Sequence, residues 1–474
     1  MLQNWFILFP ELLLISFLIA GYAVEFFASE KTSKTYYSLA QFFLLASLST
    51  SIVFYNKSAF PDFWQNTSFT TLFKSLVYLL AWAWFYLSSK WFLNKNRPSL
   101  KFYSICFCLL LGYFILASSS SLITLAIAVT FICLMTYFLI LRHWDIDKVK
   151  DKATIFAGCS IIFCLILYAG IWLIYRQTGT FTYNNILSIL SQKDTFSPVI
   201  LAGALMILSC FMFLMAMVPF QYWFISFVSN GVLPVCGFLT LVPPLIYLCS
   251  FINLMGKCFF PLAWFITPIT NAFAILTIII GALSANRENN IRRLFGYLSI
   301  YSMSFSLIAL QNYNTSSVIA AFAYMTISLL SLTGIYTVFI SLKSKGDYLS
   351  TITSISGFYT MRPYMSAALL IFMFSLIGLA PTLGFLGYLS VINNLIIGER
   401  WWQIILLMLS LLFVAGACLQ IVRIIYFEKP VTKFDRADKA IYICLFINVF
   451  IVLLSLANPT WLLYDALVIL GGIS

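Results

Sequence analysis

Residues 363–398 read PYMSAALLIFMFSLIGLAPTLGFLGYLSVINNLIIG, without one Asp, Glu, Lys, Arg or His. The run is longer than the ~20 apolar residues that cross a bilayer as a helix. Pro381, Gly384 and Gly387 stand in its second half. Proline removes a backbone donor and clashes with the preceding turn, so one straight helix cannot run through it. The stretch therefore predicts a broken helix inside a membrane. Such a break persists only where protein or a cavity covers the freed backbone groups.

Working outward, the same texture fills the chain. Apolar runs predict helices over 4–27, 37–56, 69–93, 102–117, 120–142, 154–176, 197–218, 233–252, 260–284, 294–311, 317–342, 364–398, 402–426 and 440–463. The expected fold is an all-α polytopic membrane protein of about fourteen transmembrane helices. Further breaks are expected from Pro219 to Pro244. The segment 177–196 reads as a polar connection. Of the 474 residues, 62% are hydrophobic and 9% charged, and mean hydropathy is +0.98. A soluble domain carries about 25% charge, so a soluble enzyme is excluded. Barrel strands would alternate in short segments, and these runs are continuous.

The net charge is +12. No basic run is interleaved with aromatics on a soluble segment, which argues against nucleic acid. Lys and Arg instead collect in alternate loops: Lys95 to Lys101, Lys148 to Lys152, Arg292 and Arg293, and Lys429 to Lys439. The opposite loops hold only Lys57, Arg176, Lys193, Lys257 and Arg400. By the positive-inside rule the basic side is the inner one, which places both termini outside. The 11 cysteines form no CxxC pair, and His143 is the single histidine. Neither pattern suits a metal or haem site.

Several segments in order resemble subunit 2 of respiratory NADH:ubiquinone oxidoreductase, complex I, the N subunit in bacteria. They are Pro10-Glu11-Leu12-Leu13-Leu14, Phe69-Thr70-Thr71-Leu72-Phe73-Lys74, the run Gly158 to Gly179, and Val218-Pro219-Phe220-Gln221-Tyr222-Trp223. Asn290-Ile291-Arg292-Arg293-Leu294 with Tyr297-Leu298-Ser299-Ile300, Pro381 to Gly387, and Val422-Arg423-Ile424-Ile425-Tyr426-Phe427 complete the set. The resemblance implies an antiporter-like fold of two inverted five-helix repeats. Three leading helices would occupy 1–101, the first repeat 102–252, the second 260–426, and a final helix 440–463. Sodium/proton antiporters share this fold, so it does not by itself fix the function.

The chain departs from that family at its charges. A pumping member carries a Glu on the fifth helix and Lys on the seventh, eighth and twelfth. The matching positions here are Thr130, Leu214, Pro244 and Tyr388, and the family's His is Gln221. Independently of the family, no Asp, Glu, Lys, Arg or His occurs from Thr195 to Gly256 or from Pro363 to Gly398. Proton carriers retain intramembrane ionisable groups despite their cost. The expectation is a subunit that no longer pumps by the central route. Thr130 and Tyr388 are expected to pack, with ordering of water as the sharper alternative.

Three ionisable residues remain as candidates. Glu11 reads as a packing or interfacial residue that could also serve as a proton-path acid. Lys74, near the outer end of its helix, reads as a snorkelling anchor. Arg292 reads as an anchor to lipid phosphate or a neighbouring subunit.

The leading reading is a membrane-arm subunit of complex I, structural rather than pumping, with no catalytic site and no cofactor of its own. NADH, flavin, iron–sulfur clusters and ubiquinone are expected elsewhere in the complex. Its partners are expected to be neighbouring antiporter-like subunits and membrane lipids. A monovalent cation/proton antiporter subunit is the alternative, followed by another polytopic transporter; N-x-S sequons at Asn56, Asn66 and Asn314 would suit that last reading if glycosylated. An apolar start without an Arg- and Ser-rich presequence, and 47 Phe with 26 Tyr, suggest an organelle-encoded protein of the mitochondrial inner membrane; the alternative is a bacterial plasma membrane.

Overall fold

The computed structural model describes residues 8–27, 33–54, 60, 62–94, 100–143, 146–192, 195–310, 313–344, 346–431, 433–435 and 438–453. Helices account for nearly all of it. The N-terminal part contributes α1 (Phe9–Phe27), α2 (Ser33–Val53), α3 (Ser68–Asn94), α4 (Leu100–Ala117), α5 (Leu122–His143), α6 (Ile146–Thr178) and the short α7 (Tyr183–Ser191). Next come α8 (Pro198–Leu214), α9 (Gln221–Asn230), α10 (Leu233–Leu241) and α11 (Pro243–Lys257). The C-terminal part contributes α12 (Ala263–Arg287), α13 (Ile291–Ala309), α14 (Thr315–Ser341), α15 (Phe358–Met361), α16 (Pro363–Ile377), α17 (Leu383–Ile397), α18 (Trp401–Phe427) and α19 (Lys439–Leu453). Eight helical spans are long and apolar enough to cross a membrane, and six shorter apolar helices accompany them among the described residues. The protein is a multi-pass membrane protein.

The predicted stretch 364–398 is two helices, α16 and α17, broken between Gly378 and Thr382 as expected. Two readings need correction. Residues 221–230 form a helix that the apolar pattern did not predict, because ten residues are too few to span. The connection 177–196 holds α7. The predicted ends of the first and last helices, 4–7 and 454–463, lie outside the described residues.

The centre of the bundle is α14 with the collinear pair α10 and α11, whose residues are almost all buried. These helices have no polar face, and their hydroxyls bond back to their own turns. Thr240 Oγ1 reaches the Cys236 carbonyl at 2.8 Å, and Thr337 Oγ1 that of Thr333 at 2.7 Å. This is how Ser and Thr are tolerated in an apolar helix. By contrast, α6 and α18 turn large apolar faces outward, including Leu165, Trp172, Ile405 and Leu412. In a bilayer such faces meet lipid or a neighbouring helix rather than water. Helices α6 and α8 approach closely at Gly170 and Gly203, each of which sets its Cα hydrogens against the other's carbonyl. Small residues permit this packing where apolar burial gives no drive.

Loops knit the bundle at both ends. At the end with few basic residues the segments 63–65, 118–122 and 181–183 exchange backbone bonds: Gln65 N–H to Ser118 O at 3.0 Å, Tyr183 N–H to Ser120 O at 2.9 Å, Leu122 N–H to Phe181 O at 2.9 Å. At the basic end, strands β1 (Lys343–Ser344) and β2 (Asp347–Tyr348) pair antiparallel. Ile352 N–H bonds Asn289 O at 2.8 Å, and Asp435 N–H bonds Lys343 O at 2.9 Å there.

Candidate functional site

Two interior features could carry chemistry: the helix interruptions and a buried ion pair. A helix end leaves carbonyls without intrahelical partners. At depth in a membrane each of these needs a donor from protein.

The first interruption lies between α8 and α9. Here Ala216, a non-glycine residue, takes the left-handed region at φ 53°, and Met217 N–H closes back on Met212 O at 3.0 Å. Trp223, on α9, turns its indole N–H back to the carbonyl of Phe213, the penultimate residue of α8, at 3.0 Å. Thr277 of α12 accepts the freed Val218 N–H at 2.9 Å.

The second interruption, between α16 and α17, repeats this arrangement. Gly378 is left-handed at φ 76°, and Leu379 N–H closes on Phe374 O at 3.0 Å. The Tyr388 hydroxyl, on α17, donates to the carbonyl of Leu376, again the penultimate residue, at 2.9 Å. The same hydroxyl accepts from Tyr324 of α14 at 3.5 Å, and its ring packs edge-on to Phe305 and Tyr324.

The third interruption separates α10 from α11. Pro243 and Pro244 have no N–H to offer the carbonyls four residues back, Leu239 and Thr240. Ser299 of α13 supplies a donor to Thr240 O at 3.0 Å.

The ion pair lies at the end where basic residues are sparse. Lys74 Nζ stands 2.7 Å from Glu11 Oε1, joining α3 to the first turn of α1, with both side chains nearly sealed from the surface. The ammonium also donates to Asn66 Oδ1 at 2.9 Å and sits 4.7 Å from the centre of the Trp64 ring. Asn66 in turn accepts from Ser118 Oγ at 3.1 Å. The second Glu11 oxygen is buried without a hydrogen-bond partner among the described residues. A second lysine, Lys257 at the end of α11, reaches Gln65 Oε1 at 3.4 Å beside this cluster. Lys74 therefore does not snorkel, and Glu11 packs against it inside the protein. The burial of Asn66 also removes it as a glycosylation acceptor; Asn56 lies outside the described residues.

The family described as NADH:quinone oxidoreductase/Mrp antiporter, transmembrane, matches residues 119–414, well over half of the chain. The chain belongs to this antiporter family. Among its relatives, NADH-quinone oxidoreductase subunit N of Rhodospirillum rubrum is 24% identical over 377 residues, covering 80% of this chain and 77% of the relative. Subunit N of Beijerinckia indica is 27% identical over 349 residues, covering 74% and 73%. The fold is similar to a chain of respiratory complex I from Thermus thermophilus, with TM-score 0.80 and 18% identity over 96% of this chain and 98% of that one. It is equally similar to a chain of the Mrp complex from Dietzia, with TM-score 0.84 and 13% identity over 98% and 97%.

Of the four positions where the resemblance implies charges, three lie at the interruptions and the fourth, Thr130, lies within the unbroken α5. Leu214 is the last residue of α8, buried at the first break. Pro244 makes the third break, and Tyr388 seals the second. Thr130, half-buried on α5, spends its hydroxyl on the carbonyls of Ala126 and Ile127 of its own helix, each at 3.0 Å. Among the described residues the interruptions hold hydroxyls and an indole but no ionisable side chain other than tyrosine. Gln221 opens α9, with its side-chain oxygen buried and without a hydrogen-bond partner among the described residues. Arg292, expected to hold lipid or a neighbour, is turned inward. Its Nη1 donates to Gly231 O at 2.7 Å, capping the C-terminus of α9 from the first turn of α13. Sequence reasoning missed Asn66, Trp64, Ser299 and Trp223. For Trp223 the signal was present in its motif, ten residues beyond the carbonyl that it caps.

Proposed function

We propose that the chain is a membrane-arm subunit of a respiratory NADH:quinone oxidoreductase, and that its interior holds the arm together without carrying protons by the central route. Its antiporter family and its relatives named subunit N support the first part. The hydroxyl of Tyr388 carries the second. At a position where a pumping member would hold a titrating lysine, a phenol is committed to a backbone carbonyl, as the indole of Trp223 is in the other broken helix. A proton relay needs a group that takes up and releases a proton near neutral pH, and free phenol titrates near pH 10.

On this reading NADH, flavin, iron–sulfur clusters and ubiquinone are bound by other subunits. The chain stacks beside other antiporter-like subunits, with α6 and α18 among the outward faces available for contact. The relatives are bacterial, which favours a bacterial plasma membrane over the mitochondrial inner membrane. The two-repeat division, 102–252 and 260–426, gains support from the matched capping of the first and second interruptions. The cation/proton antiporter alternative gains nothing specific, since the Mrp likeness is one of fold.

The test is to purify the native assembly through a tag on this chain. NADH:quinone reductase activity should co-purify. Tyr388→Phe should leave the proton-to-electron ratio of reconstituted vesicles unchanged. Loss of proton pumping with electron transfer intact would overturn the second part, and a tagged chain free of reductase activity would overturn the first.

A further inference from the structure

Only residues 144 and 145 separate α5 from α6, so the two helices run antiparallel side by side. A cleft of about 260 Å³ lies between them, lined by Ile123, Ala126 and Ile127 of α5 and Tyr168, Ile171 and Tyr175 of α6. Ile127 and Tyr168 are exposed, so the cleft opens toward lipid. Ala126 and Ile171 stand at the middle of its two walls. Seven residues on from Ala126 is Cys133, and seven back from Ile171 is Cys164. Seven residues make about two turns, which return to the same face and the same depth on both helices. The thiols of Cys133 and Cys164 meet there within hydrogen-bonding reach. Packed helices with axes ~8–10 Å apart bring facing Cα atoms to a separation that a disulfide spans, ~4.4–6.8 Å.

The two sulfurs differ in access. Cys133 is 6% exposed, near the middle of the 22-residue α5. Cys164 is half-buried on the outward-facing α6, between the exposed Ile161 and Leu165. A third thiol, Cys210 of α8, is buried one turn from Phe213, whose ring stacks on Phe163 at 4.5 Å. Among the described residues no three His, Cys, Asp or Glu side chains gather as a metal site needs, so the pair suits oxidation rather than metal binding. We propose that Cys133 and Cys164 are an oxidisable thiol pair, which a hydroperoxide dissolved in the membrane converts to a disulfide tying α5 to α6. The hydroperoxide oxidises the Cys164 thiol to a sulfenic acid and leaves as its alcohol. The Cys133 sulfur then attacks the sulfenic sulfur, the S–S bond forms, and the oxygen departs as water. Two thiols and one hydroperoxide thus give one disulfide, one alcohol and one water. Water-soluble reductants that keep cytosolic thiols reduced do not enter hydrocarbon, so the bond persists. The site does not rest on the function proposed above.

The test treats native membranes containing the full chain with cumene hydroperoxide, then denatures them in excess N-ethylmaleimide. Digests are analysed by mass spectrometry without reduction. The peptides bearing Cys133 and Cys164 should appear as one linked species, with both free thiols lost together. Fragment ions should place the bond on Cys164 rather than Cys159, and dithiothreitol should abolish the species. Cys210→Ala should keep the link, whereas Cys164→Ala should remove it and leave Cys133 as a free thiol. Recovery of both residues as maleimide adducts, or as separate sulfinic and sulfonic acids, would overturn the proposal. So would a bond to Cys159 or Cys210. The unaltered chain decides the matter if a variant fails to fold.

Discussion

Lys74 has no water to reach, so its charge is balanced inside the protein. Breaking a buried ion pair by removing one partner costs about 3–5 kcal/mol, because the other charge is left stranded. Lys74→Met should destabilise the purified assembly by that order, seen as a lowered unfolding temperature or chaotrope midpoint. Glu11→Gln should do likewise, leaving the ammonium only Asn66 and the Trp64 face. The double variant Glu11→Gln/Lys74→Met should recover most of the loss, giving a large positive coupling in a double-mutant cycle. Additive losses would mean that the two residues act separately. The pair was not legible in the sequence because its members are 63 positions apart on helices whose rotation the apolar pattern leaves open. A lysine in an otherwise apolar run was visible. Its partner became identifiable only once α1 and α3 were placed side by side.

At the scale of elements, the breaks were legible where proline or glycine announces them, as at Pro381 and Pro243. Their repair was not. Which donor reaches a freed carbonyl depends on tertiary placement, and Ser299 lies 59 residues from Thr240. The short α9 escaped notice because the membrane-length criterion discards a ten-residue helix, although Pro219 before it and Gly231 after it mark its limits. The second break also demands close contact. A Cβ on Gly384, at the start of α17, would collide with the Ser375 carbonyl of α16, which is backbone and cannot step aside. Gly384→Ala should therefore cost about 1–3 kcal/mol through overpacking, measurable as loss of chain from membranes or a lower melting temperature. Removing a cap has a different signature. Tyr388→Phe keeps the ring and leaves the buried Leu376 carbonyl short of a donor, a loss of about 1–3 kcal/mol; Trp223→Phe trims the indole and removes one of two donors to Phe213 O, which Ala216 N–H still reaches at 3.1 Å. Wild-type stability in Tyr388→Phe would show that water or another side chain replaces the hydroxyl.

Over the whole molecule, charge and loop structure make one argument about orientation. The loops knitted around Lys343, Arg292 and Asp435 belong to the basic end. The mat of 63–65, 118–122 and 181–183 closes the end where Lys is sparse. Every odd error in helix parity would mix the two sets, and the structure keeps them apart. The cysteines are all buried or half-buried, so new surface thiols can report sidedness over a low background. Lys433 and Gln192 are exposed at opposite ends. In intact cells or right-side-out vesicles, a membrane-impermeant maleimide should label Gln192→Cys and spare Lys433→Cys, with the reverse in inverted vesicles. Labelling of both from one side would place an odd number of crossings wrongly between residues 192 and 433. Reversed labelling of both would keep the fold but turn it over in the membrane, and the outer ion pair would then lie on the inner face.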